Sequence, residues 1–164
     1  MRLVNKTRFS PKKIRKLCRF VFKHFPKEAI KQTEFHILTD ECYFSRSISG
    51  QAWDSEAIPK QTNILKKGVI CLRPSYKGNK IQSKHSYFVV INVGAKRKYP
   101  YSNPNKVRAG KAPMYRKFED EFVHVLAHEC AHINQFYSKG TKDDKYYEVE
   151  AEKIAHKILA KFKE

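Results

Sequence analysis

Residues 118–137 constrain this chain more than any other segment. FEDEFVHVLAHECAHINQFY carries apolar side chains at helical spacing, yet it sets His124, His128, Glu129 and His132 among them. Imidazoles and carboxylates are costly to bury unless something pairs with them. A helix of this composition has to enter a core and still satisfy a polar face, and a bound metal ion is one partner that would do so. Glu119, Asp120 and Glu121 suit the positive end of the helix dipole, and Gly140 follows as a C-terminal breaker.

Within the segment, His128-Glu129-Cys130-Ala131-His132 is an HExxH motif. Residues four apart lie one above the other on a helix, so both imidazoles reach one Zn²⁺ while Glu129 projects beside it. Such an ion acidifies water, and the carboxylate is placed to take the proton as the water attacks a peptide carbonyl. Catalytic zinc requires a third protein ligand. A second helix, from about Asp144 to Phe162, offers Glu148, with Glu152 one turn on to hold a ligating histidine by its other ring nitrogen. His156 is the second choice for the third ligand. His124 shares the face of His128, but three histidines over two turns cannot all reach one ion, which makes it a bystander. His24, His36 and His85 show no ligand spacing. Tyr137, Tyr146 and Tyr147 are three candidates for support of an oxyanion, with nothing in the sequence to choose among them.

Upstream, Ser10-Pro11 starts a helix that buries Ile14, Leu17, Cys18, Val21, Phe22 and Phe25 and ends at Pro26. Three strands are expected, Glu34–Thr39, Gly68–Arg73 and Ser86–Val93, the last two apolar enough to be well covered. A polar connection, 41–67, carries Trp53, expected to plug the core. Residues 94–117, GAKRKYPYSNPNKVRAGKAPMYRK, form an irregular basic loop interleaved with Tyr99, Tyr101 and Tyr115. Cations for phosphates and rings for bases are what a single-stranded nucleic-acid surface needs, so Lys96, Arg97, Lys98, Tyr99, Lys106, Arg108 and Lys111 are the candidate nucleic-acid contacts.

HECAH followed by EVEAEKIA resembles the small gluzincin metallopeptidases, especially the ImmA/IrrE-type group, whose pattern is HExxH and then a helix reading roughly E-x-E-A-(D or N)-x-x-A. By that likeness His128, His132 and Glu148 correspond to metal ligands and Glu129 to the catalytic base, with Ala151 and Ala155 on the pattern's alanines. Glu152 is longer than the Asp or Asn usual at its position. SprT-type peptidases are a more distant alternative, since their third ligand is a downstream histidine and none lies between His132 and His156. The resemblance rests on the C-terminal stretch alone. It implies an α+β, zincin-like minimal domain spanning residues 1–164: an N-terminal helix, a small, mainly antiparallel sheet of three or slightly more strands, the HExxH helix and a third-ligand helix.

Lys and Arg total 34 against 16 Asp and Glu, a formal charge of +18 that favours anionic partners. The expected function is a zinc-dependent endopeptidase, one zinc per chain, acting on a protein or peptide substrate associated with nucleic acid, with Gly68–Arg73 as the strand that pairs with it. The alternative is a basic nucleic-acid-binding protein, its zinc site structural or vestigial. In either case the basic surface would meet nucleic acid or acidic protein. No apolar run reaches the ~18 residues of a membrane span. With no signal-peptide h-region and four scattered cysteines lacking a CxxC pair, the expectation is a cytoplasmic protein with reduced thiols.

Overall fold

Ser10 opens helix α1 (Pro11–Phe22) by accepting from the Lys13 amide at 3.3 Å. Ile14, Leu17, Cys18 and Val21 face inward, while Lys12, Arg15, Lys16, Arg19 and Lys23 remain exposed. The helix stops three residues short of Phe25, because Pro26 becomes the N-cap of a separate short helix, α2 (Lys27–Lys31).

The computed structural model describes residues 1–38, 50–54, 65–66, 69–71, 80–82, 85–93, 98–102, 112–139 and 145–164, and the architecture is mixed α+β. The main sheet has four strands in the order β1 (Arg2–Asn5), β2 (Thr33–Leu38), β7 (Tyr87–Asn92) and β3 (Gly50–Asp54). β1 with β2 and β2 with β7 pair in parallel, and only β3 with β7 is antiparallel. The sheet is therefore not mainly antiparallel as expected. The chain crosses over through α1 and α2 between β1 and β2, which makes their pairing parallel.

β2 and β7 are buried at every position. Phe35, Ile37, Val89 and Ile91 share one face and pack into a core with Ile14, Leu17, Phe122, Leu126, Ile133 and Ile158. On the opposite face Trp53 is buried against Phe88, ring centroids 5.8 Å apart, as a core plug. His36 stacks on the same ring at 4.9 Å and lies 2.8 Å from Glu34.

β5 (Val69–Cys71), the strand expected to receive substrate, is the middle of a separate sheet between β4 (Leu65–Lys66) and β6 (Lys80–Gln82). Among the described residues, β4 pairs with Val69 and Ile70 and β6 with Val69, Ile70 and Cys71, so neighbours lie on both sides of this strand. The short strands β8 (Tyr101–Ser102) and β9 (Met114–Tyr115), both within the segment 94–117 expected to be an irregular loop, pair antiparallel with each other.

Two helices complete the fold. α3 (Phe118–Lys139) is buried on nearly all sides over its first thirteen residues, and α4 (Lys145–Lys163) packs beside it. The acidic start of α3 does more than complement a dipole. Glu119 meets Lys13 of α1 at 2.7 Å, Asp120 accepts from the Arg116 amide at 2.8 Å, and Glu121 is wholly buried and accepts from the hydroxyls of Tyr99 and Tyr101. Cys18 and Cys130 are buried free thiols. Among the described residues no helix is long and apolar enough to cross a membrane.

Candidate metal centre

The two long helices run past each other in opposite directions, which sets up three facing layers. His132 meets Glu148, His128 meets Glu152, and His124 meets His156, each layer one turn from the next. The first expected ligand set lies in the first two layers. His128 Nε2 and His132 Nε2 are 3.1 Å apart, Glu148 Oε1 is 3.2 Å from the His132 nitrogen, and Glu148 Oε2 is 3.5 Å from the His128 nitrogen. A tetrahedral ion with bonds of about 2.0–2.1 Å sets neighbouring ligand atoms roughly 3.3 Å apart. The three side chains fit the edges of such a shell.

Protonation sharpens the case. Gln135, on α3 one turn after His132, donates its amide nitrogen to the Tyr147 carbonyl at 3.0 Å and to Glu150 Oε2 at 3.1 Å. Both partners are acceptors only, so the amide oxygen must be the atom facing His132 Nδ1 at 2.9 Å, and that nitrogen must carry the proton. His128 Nδ1 stands 2.9 Å from Glu152 Oε2, an ion-pair distance that favours a proton on Nδ1. Both Nε2 lone pairs therefore point into the gap that Glu148 also faces. Several electron-rich atoms at this spacing need a cation between them. A shared proton bridges two of them at a time, whereas a divalent ion accepts from all three side chains at once. With no ion between them, a ring that donates from Nε2 instead holds the Glu148 carboxyl well below the usual carboxylate range.

Glu152 lies 2.9 Å from His128 Nδ1, so its extra methylene does not prevent it from reaching that ring. Gln135 is the residue that sequence reasoning missed. Its spacing of three from His132 was a usable signal, but its role depends on Tyr147 and Glu150 of the other helix. Glu129 is buried and lies against the start of β3. A Cβ built on Gly50 would lie 2.6 Å from Glu129 Oε1 and 2.9 Å from its Cγ, so the start of β3 reaches this carboxylate only because a glycine stands there.

His156 is not a further ligand of the first set. It lies one turn beyond Glu152 on α4, its Nε2 faces Glu152 Oε1 at 3.2 Å, and it groups with His124. His124, expected to be a bystander, has its Nε2 3.3 Å from the same oxygen, while its Nδ1 hydrogen-bonds the Tyr115 hydroxyl at 3.0 Å. Tyr137 and Tyr146 are exposed, and Tyr147 contributes its backbone carbonyl to Gln135.

Of the candidate nucleic-acid contacts, Lys96, Arg97, Lys106, Arg108 and Lys111 lie outside the described residues. Lys98 is exposed, but Tyr99 packs against the core with its hydroxyl on Glu121. Tyr115 is fully buried, so it offers no ring to a base.

Compared with known proteins, the chain matches no family model, no curated protein and no solved structure.

Proposed function

We propose that the chain is a zinc-dependent endopeptidase with a zincin-like arrangement, akin to the small ImmA/IrrE-like gluzincins. His128, His132 and Glu148 would hold one catalytic zinc, and Glu129 would be the general base. The observation that carries this reading is the convergence of two imidazole nitrogens and a carboxylate at 3.1, 3.2 and 3.5 Å, with Gln135 and Glu152 against the far nitrogens of the two rings. Two imidazoles and one carboxylate suit zinc and leave a coordination position open. The ion would supply a Lewis acid that acidifies water and polarises the scissile carbonyl.

Glu129 has the part of a proton carrier. It would take the proton of the attacking water and return it to the leaving nitrogen, a role that requires its carboxylate to stay in place through both transfers. Its contact with Gly50 also brings β3 into the mechanism. β3 is an edge of the main sheet among the described residues, and an extended peptide added to that edge would run beside Glu129. The exposed cations of α1 and the net charge of +18 favour an acidic or nucleic-acid-associated protein as substrate.

The test pairs metal content with proteolysis of a mixed peptide library. Glu129→Gln should keep its zinc and lose cleavage, while His132→Ala should lose zinc from this site and cleavage together. Cleavage by Glu129→Gln at the wild-type rate would end the catalytic reading.

A further inference from the structure

We propose that His124, Glu152 and His156 form a second metal site, one layer along the same helix pair and separate from the peptidase centre. The proposal goes beyond the peptidase reading and does not depend on it.

The two groups are related by the antiparallel packing. The first takes two histidines four apart on α3 and one carboxylate from α4. The second takes a carboxylate and a histidine four apart on α4, and one histidine from α3. In each, the i,i+4 pair supplies two ligand atoms on one helix face, and the neighbouring helix supplies the third.

Distances within Glu152 separate a supporting contact from a ligand-like one. Its Oε2 lies 2.9 Å from His128 Nδ1, a shorter, ion-pair distance. Its Oε1 lies 3.3 Å from His124 Nε2 and 3.2 Å from His156 Nε2, near the roughly 3.3 Å edge of a tetrahedral shell. The ligand atoms of the three residues all fall within 4.8 Å of one another. His124 is anchored from behind by the Tyr115 hydroxyl on Nδ1, as a metal-bound imidazole usually is on its second nitrogen. When that Nδ1–H donates to Tyr115, the Nε2 lone pair is left facing Glu152.

Burial supports the same conclusion. His124 and Glu152 are 0% and 1% exposed, so the site is a dry one in which a cation would offset a buried carboxylate. The His156 side chain is 27% exposed and gives an ion a way in from solvent. Two imidazoles and a carboxylate select a borderline first-row divalent ion, zinc among them, over calcium or magnesium. Glu152 would then serve both centres, ligating one ion through Oε1 while bracing His128 through Oε2.

The test is a count of zinc per chain after equilibration with Zn²⁺ and removal of excess ion, in the wild type, His132→Ala, His156→Ala and the double variant. Two ions in the wild type, one in each single variant and none in the double variant is the expected result. One ion lost in His132→Ala but kept in His156→Ala overturns the second site and leaves the peptidase centre standing. One ion with the opposite dependence supports the second site and removes the peptidase centre. No bound ion in the wild type overturns both. A Co²⁺ titration of the wild type and of His156→Ala checks the count by a spectroscopic signal. Tetrahedral visible bands that keep growing to two equivalents support the second site, and saturation at one, with His156→Ala unaltered, sinks it.

Discussion

Replacing Gly50 by alanine tests whether β3 and Glu129 are in contact. The added methyl carbon would fall 2.6 Å from Glu129 Oε1, 2.9 Å from Glu129 Cγ and 2.9 Å from Val125 Cγ1. The carboxylate tip could swing aside at small cost, but the other two atoms cannot. Val125 is β-branched within a helix and held to one rotamer, and it is 1% exposed, so it has nowhere to go. Relief must come from separating β3 from α3, an overpacking strain of about 1–3 kcal/mol. For a chain of this size each kcal/mol lowers the melting temperature by roughly 2–4 °C, so a fall of about 2–12 °C is expected in calorimetry. Val125→Ala combined with Gly50→Ala should be less destabilised than the two single changes added together, because they act at one contact. Zinc content should be unchanged, since Gln135 and Glu152, not Gly50, orient the ligands, while turnover falls as Glu129 is displaced. A Gly50→Ala protein that melts with the wild type would refute the contact and, with it, the position assigned to the β3 edge.

Three further outcomes follow from buried groups. Gln135→Leu should weaken zinc binding about 10–100-fold, the usual effect of losing a group that orients a ligand, measured by competition with a chromophoric chelator; unchanged affinity would show that His132 needs no such support. Burial holds the His36 imidazole below its ordinary pKa, outweighing its Glu34 neighbour. The unfolded chain therefore binds a proton that the folded one resists, so stability falls as pH drops through the unfolded imidazole value of about 6.5, and His36→Gln should flatten that part of the melting-temperature profile. Burial also pushes the Cys18 thiol up to about 12 and raises that of Cys130 well above its ordinary value. Iodoacetamide at pH 8 should leave both unmodified in the folded protein and alkylate them in denaturant, as read by peptide mass spectrometry.

The parts of this molecule legible in its sequence are those governed by local periodicity. α1, α3 and α4 announce themselves by apolar spacing and end chemistry, and His128, His132, Glu148 and Glu152 come together because helical geometry alone puts each pair on one face. What escaped depends on pairing between distant segments. β1 is four residues, RLVN, too short and too polar at its start to stand out, yet it is the strand that makes the sheet largely parallel. β3 lay hidden in a polar connection because an edge strand needs few apolar residues, and its glycine has meaning only beside Glu129. Tyr115 looked like a base-stacking ring because composition cannot tell a loop residue from one that folds back onto His124.

The second cluster differs from these, because it could have been deduced. His124, His128 and His132 step by four along one helix, and Glu148, Glu152 and His156 step by four along the next. Once a shared ion is placed between residues 132 and 148, two helices joined by a short reversal have little choice of register. Each turn back along α3 must meet one turn forward along α4, so residue 128 faces 152 and residue 124 faces 156. Taking His124 as a bystander and His156 as a spare ligand considered each residue singly and not as facing positions of that register. A mutation that slid one helix past the other by a turn would therefore dismantle both groups together, whereas His132→Ala and His156→Ala, at opposite ends of the three layers, should act independently.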